Sequence, residues 1–168
     1  ALYKSGKDIN YDFKILEAVV DVNEKQKTIL YPEISSFFDG DVEGKTIAIW
    51  GLAFKPETDD IREAPALYMI DKLLKAGAKV KAFDPEAMEN VKQKYGDKIG
   101  FGKDMYEVTE GADALLICTE WSIFRTPDYK RLKSNLKQPV IFDGRNLYPT
   151  VELAKEGIHY ISIGRQHV

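Results

Sequence analysis

From Lys45 to the end of the chain, short β-branched or apolar runs alternate with stretches of helical periodicity, and this alternation restricts the fold more than any other feature. Residues 46–50 read as a strand, 64–75 as a helix with Leu67, Ile70, Leu73 and Leu74 on one face, and 79–83 as the next strand. Gly77 stands where a helix-ending glycine belongs. A weaker helix at 86–95, a marginal strand at 99–101, a short helix near 105–110 and a buried strand at 112–118 follow. The pattern closes with a helix at 128–134, a strand at 140–142, a helix at 150–155 and a strand at 159–163. Such alternation predicts an α/β fold, a Rossmann-like doubly wound parallel sheet with right-handed crossovers and helices on both faces. Ligands of these sheets gather outside the carboxyl ends of the strands near the switch point. The stretches just after Trp50, Phe83, Cys118 and Phe142 are therefore the ones that bear on function.

Ahead of the sheet, apolar Ile15, Leu16, Val19, Val22, Ile29 and Leu30 recur at helical spacing among charged residues, predicting a long amphipathic helix over about 12–30. Pro32, the Asp39-Gly40 turn signal and Gly44 separate it from the sheet. Two regions follow from this: a helical region at 1–40 and a Rossmann-like domain at 41–168. The helix must bury its stripe on a partner chain or on another domain. The chain opens at Ala1 without an initiator Met, which reads as the interior of a longer protein.

Charge excludes some partners. The 24 basic and 27 acidic residues are mixed throughout and leave a net charge of -3, so no broad field favours nucleic acid or an anionic membrane surface. Bound phosphate must be held by a few placed cations. No apolar run approaches the roughly 20 residues that span a bilayer, and no leader pattern opens the chain. The single cysteine, Cys118, excludes an internal disulfide and suits a reducing, cytoplasmic setting. His159 and His167 lack acidic or cysteine neighbours at ligand spacing, so no metal site is expected, and no Ser-His-Asp arrangement is readable.

The stretch 51–65, GLAFKPETDDIREAP, carries the most chemistry. A dinucleotide fingerprint would place G-x-G-x-x-G here. Only the first glycine is present, and the longer turn instead carries Lys55 and Arg62, which assigns anion binding to side chains. The competing reading is a solvated loop with an incidental ion pair. Asp84 stands where a dinucleotide domain places its ribose-binding acid, but Asp84-Pro85 also suits a helix cap or turn. Arg145 follows Asp143-Gly144 after a strand and would turn into the ligand crevice, unless it pairs locally with Asp143. Thr119-Glu120-Trp121 could line the same crevice, or Trp121 could belong to the core edge.

These residues carry a resemblance. GLAFKPETDDIREAPA, FDP at 83–85, ADALLICTEW at 112–121 and FDGRN at 142–146 occur in the order found in the carboxy-terminal UDP-sugar-binding domain of the UDP-glucose and GDP-mannose dehydrogenase family, and the likeness covers the chain from about Asp12 onward. The resemblance implies NAD-dependent oxidation of a nucleotide-sugar C6 alcohol to a uronic acid in two hydride transfers, UDP-glucose to UDP-glucuronate. The 119–121 segment resembles UDP-glucose members more than GDP-mannose ones; UDP-N-acetylmannosamine, GDP-mannose or a non-catalytic nucleotide-binding or oligomerisation module are the alternatives. Carried over residue by residue, Phe54, Lys55 and Arg145 contact the UDP-sugar and Arg62 reaches NAD, whose main site would lie in an amino-terminal domain outside this chain. The helix would serve a homodimer. The family's catalytic cysteine sits in a glycine-rich motif that nothing here matches, so no catalytic residue is expected in this piece and the piece alone is expected to be inactive. Cys118, inside an apolar strand, reads as a packed thiol rather than the nucleophile.

Overall fold

The apolar runs pair as predicted. The computed structural model describes Asp8 and residues 13–168, and its six strands are β1 (Thr46–Trp50), β2 (Lys79–Phe83), β3 (Gly100–Phe101), β4 (Ala114–Ile117), β5 (Val140–Asp143) and β6 (His159–Ser162). They form one sheet in the order β3-β2-β1-β4-β5-β6, every pairing parallel. Strand order reverses between β1 and β4, so this is the doubly wound Rossmann-like sheet, with its ligand crevice expected where the two halves part. β4 and β5 are buried at every position and β1 at all but Thr46, which is why these strands read as continuous apolar runs. Ile49, Trp50, Leu115 and Phe142 are fully enclosed, and each such side chain contributes about 1.5–3 kcal/mol by leaving water.

The register sets the site. Trp50 pairs with Ile117, and Ile117 with Asp143, so β1, β4 and β5 end level with one another. The ladder runs one residue further, with the Cys118 amide donating to the Trp50 carbonyl and the Gly144 amide to the Ile117 carbonyl, both at 2.9 Å. Gly51, Cys118 and Gly144 therefore begin three loops along one edge of the sheet. Trp50 fastens two more segments below them: its indole nitrogen donates 2.6 Å to the Met105 carbonyl and its ring stacks on Phe124 at 5.0 Å.

The helices are α1 (Lys14–Gln26), α2 (Tyr31–Phe37), α3 (Pro65–Lys75), α4 (Met88–Tyr95), α5 (Tyr129–Asn135) and α6 (Thr150–Glu156). The helical region differs from the sequence expectation. Instead of one helix to Leu30, α1 ends at Gln26, amides of residues 28 and 29 bond three residues back, and a second helix starts at Tyr31. Pro32 explains the break. Its ring would clash with the carbonyl four residues earlier in a continuous helix, yet its fixed φ suits the first turn of a new one. α2 docks through Leu30, Ile34 and Phe38, with the Phe37 ring edge-on to Phe142 at 5.8 Å. α1 buries none of its own residues. The short helix expected near 105–110 is a single 3-10 turn, Glu107–Thr109. Among the described residues no helix is long and apolar enough to cross a membrane.

Candidate functional site

The loop after β1 is locked from within. Gly51 has φ +88°, and a Cβ there would meet Thr119 Cβ at 2.5 Å, so the glycine serves close approach of the β1 and β4 loops. Thr119 Oγ1 donates 2.6 Å to the Ala53 carbonyl. Asp84, at the end of β2 and 1% exposed, accepts from the Leu52 amide (2.6 Å), the Ala53 amide (3.1 Å) and the Trp121 indole (3.0 Å) on Oδ2. Its Oδ1 accepts from the Glu86 and Ala87 amides. With every one of these donors committed to Asp84, the first turn presents no glycine cradle of free amides for a pyrophosphate. Of the readings of Asp84, the turn is the one its hydrogen bonds fit, since the following helix has no side-chain cap, and Trp121, 5% exposed, lies in the core edge.

Beyond this anchor the chain loops outward. The Phe54 amide donates 2.8 Å to the Asp60 carbonyl, closing a loop that holds Lys55 at its exposed tip. The Phe54 ring is 52% exposed, unusual for a large apolar side chain beside a buried loop base. Lys55 forms no ion pair among the described residues. Arg62 is solvent-facing and gripped by Asp60: Nε lies 3.0 and 3.1 Å from the two carboxylate oxygens and Nη2 2.7 Å from Oδ2. Those hydrogen bonds hold the Asp60 carboxyl down to about 2 and raise the Arg62 guanidinium further.

Arg145 rises from the β5 end beside this loop. Its backbone amide, not its guanidinium, bonds Asp143 Oδ1 at 2.7 Å, while Asp143 Oδ2 accepts from the Leu147 amide and the Tyr160 hydroxyl. The local Arg145–Asp143 side-chain pair considered from sequence does not form. The guanidinium crosses to Glu120 on the β4 loop, Nε to Oε2 and Nη2 to Oε1 at 2.6 Å. The arginine's hydrogen bond lowers the Glu120 carboxyl below the ordinary range. Cys118 lines the same hollow but is 8% exposed, and burial, then the charge of Asp143, pushes its thiol to about 12.

Phe54, Arg145, Cys118 and Gly144 share one cleft of about 470 Å³, closed on its far side by α1 and the turn after it through Val20, Asn23 and Lys27. The fold brings Phe54 and Arg145 together; Arg62 lines a separate groove with Leu67, Tyr68 and Lys94. Sequence reasoning missed Lys27 and Glu63. Lys27, with a side chain only 10% exposed, bonds Glu24 (2.7 Å), Glu63 and the Tyr68 hydroxyl (3.0 Å), and lies 4.2 Å from the Tyr68 ring centre. Burial opposes its charge, but the bonds to Glu24, Glu63 and Tyr68 outweigh it and raise the ammonium above its ordinary range. Glu63 reaches Lys27 from a left-handed backbone position with φ 59°. No local pattern points to this pair, since a partner 36 positions away is invisible to helical or strand periodicity. Among the described residues no group of His, Cys, Asp or Glu is placed to hold a metal ion.

A model of the UDP-glucose/GDP-mannose dehydrogenase family, UDP binding domain, matches residues 48–150. The UDP-glucose 6-dehydrogenase of Pseudomonas aeruginosa is 41% identical over 98% of this chain and 38% of its own length. The UDP-glucose 6-dehydrogenase TuaD of Bacillus subtilis is 42% identical over 100% of this chain and 36% of its own. The chain thus spans less than two-fifths of these relatives. Among solved structures, a UDP-glucose dehydrogenase from Pyrobaculum islandicum superposes with a TM-score of 0.80 at 30% identity, covering 96% of this chain and 34% of that one. A UDP-D-ManNAc dehydrogenase from Pyrococcus horikoshii gives 0.75 at 25% identity, covering 95% and 36%.

Proposed function

The chain belongs to the UDP-glucose/GDP-mannose dehydrogenase family, and from that premise we propose that it is the nucleotide-sugar-binding, carboxy-terminal portion of an NAD-dependent UDP-glucose 6-dehydrogenase. The observation that carries this reading is the meeting of Phe54 and Arg145 in one cleft at the carboxyl ends of the central strands. A diphosphate brings about two negative charges, and a guanidinium fork with a lysine point charge is a sound way to hold it in a chain with little positive field. Arg145 supplies the fork, Lys55 the mobile charge at the loop tip, and Phe54 an exposed aromatic face for the base or sugar.

The cofactor reading follows from what the first turn lacks. The Leu52 and Ala53 amides are given to Asp84, so the loop after β1 offers neither to the NAD pyrophosphate. NAD would be held mainly by another domain, with the exposed Arg62 reaching toward it. In the whole enzyme NAD would accept the hydrides. The part of these residues is to bind and orient the sugar nucleotide. A buried thiol pushed up to about 12 is a poor nucleophile, which supports the reading that this portion by itself turns over no substrate.

Calorimetric titration of this chain tests the binding role. UDP and UDP-glucose are expected to bind, GDP at least tenfold more weakly; absence of UDP binding would sink the assignment of Phe54, Lys55 and Arg145. A panel of nucleotide sugars assayed for NADH formation with the full-length enzyme decides which hexose is oxidised.

A further inference from the structure

Arg145 is aimed before any ligand arrives. Glu120 grips the guanidinium on one side, through Nε and Nη2, and among the described residues Nη1 donates to nothing. The outer edge of the fork, Nη1 with the second Nη2 hydrogen, is left for an anion. Both ends of the pair stand on fixed backbone. Glu120 lies between Thr119 and Trp121, each buried and each hydrogen-bonded into the β1 loop or its anchor, Asp84. The Arg145 amide is tied to the buried carboxylate of Asp143. A long arginine side chain otherwise loses much rotamer freedom on binding, and a partner that holds it in place beforehand removes that cost.

We propose that Glu120 is a positioning residue that holds the Arg145 fork in the orientation that receives the diphosphate of the nucleotide sugar. This rests on the reading of Arg145 as a diphosphate ligand. Two effects of Glu120 oppose each other: its carboxylate repels an incoming anion, while its two acceptor oxygens orient the arginine. Glu120→Gln and Glu120→Ala remove the same charge, but only glutamine keeps an oxygen within reach of the guanidinium. Comparing the two variants therefore reads orientation with charge cancelled.

The experiment is calorimetric titration of UDP into this chain and its variants at one ionic strength. Glu120→Ala is expected to bind UDP roughly three- to tenfold more weakly than Glu120→Gln, and the difference is expected to vanish in an Arg145→Ala background. Glu120→Ser, also neutral and too short to reach, serves as a second test should the alanine variant fold poorly. Equal affinities for the glutamine and short variants, or a difference that survives without Arg145, would overturn the proposal. An Arg145→Ala chain that binds UDP as tightly as the parent would instead overturn the underlying assignment of Arg145.

Discussion

The indole nitrogen of Trp121 lies 3.0 Å from Oδ2 of Asp84, joining the loop after β4 to the end of β2 beneath the cleft. Two amides of the β1 loop share that oxygen, and two at the start of the α4 segment take the other. Replacing Asp84 by Ala leaves five buried or half-buried donors without their acceptor. Unsatisfied buried donors cost about 1–3 kcal/mol each before relaxation and water entry, and a loss of about 3–5 kcal/mol is expected in urea unfolding. Asparagine should rescue little, because either orientation of its amide points N–H groups at donors. Stability of Asp84→Ala within 1 kcal/mol of the parent would show that the anchor is dispensable.

How much of this was legible beforehand depended on the range of the interaction. The sheet and its order of elements follow from periodicity, since β4 and β5 are buried throughout and α3 buries one face. Phe54 and Arg145, which share the cleft, stand in segments that the family resemblance singles out at strand ends, whereas Lys55 sits at the exposed loop tip outside the cleft lining. Pairings between distant segments do not: no local pattern announces that Arg145 selects Glu120 over its neighbour Asp143, or that Lys27 finds Glu63. The break between α1 and α2 turned on Pro32, which ends one helix and is equally suited to begin the next.

Arg145→Ala and Lys55→Ala should each weaken UDP binding while leaving the fold intact. A charge-assisted hydrogen bond contributes about 1.5–3 kcal/mol, so roughly tenfold or more is expected for Arg145. Lys55, on an exposed loop tip, is expected to lose less and to show more dependence on salt. Titrations at two ionic strengths separate the two residues, and unchanged affinity in both variants would remove them from the site.

Cys118 should be chemically silent. A thiol pushed to about 12 by burial carries almost no thiolate at pH 8. Alkylation by iodoacetamide is expected to proceed at least a hundredfold more slowly in the folded chain than after denaturation, and Cys118→Ser should retain UDP binding. Rapid labelling of the folded chain would show that Cys118 is not packed inside the sheet edge.

The Lys27–Glu63 contact fixes the turn after α1 to the loop that carries Arg62, and its pH window has a definite sign. The Glu63 carboxyl is lowered by its bonds to Lys27 and Tyr68, so its contribution is present above the ordinary glutamate value near 4.3 and is lost as pH falls through the lowered one. Lys27 is raised, so its contribution is complete below about 10.4 and is lost only as pH rises past the raised value. Between roughly pH 5 and 10 the contact stays closed. Lys27→Met should speed amide hydrogen exchange over residues 21–30 about tenfold at pH 7, and the parent chain should show the same loosening as pH falls through the lowered Glu63 value. Exchange unaffected by both changes would mean that α1 is held by other contacts.

α1 itself presents a surface that water alone does not explain. Ile15, Val19 and Val22 are 81%, 55% and 63% exposed and fall on one stripe at helical spacing, and the helix buries none of its residues. Covering each such side chain would contribute about 1.5–3 kcal/mol, enough for two such stripes to offset the entropy lost on pairing. The chain is therefore expected to dimerise through α1, with light scattering giving twice the chain mass in the micromolar range. Val19→Asp with Val22→Asp should yield a monomer whose sheet unfolds at the parent temperature, because neither side chain touches the core. A parent chain that remains monomeric at hundreds of micromolar would show that the stripe is not a dimer seam, and would leave docking against another domain as the role of its exposed valines.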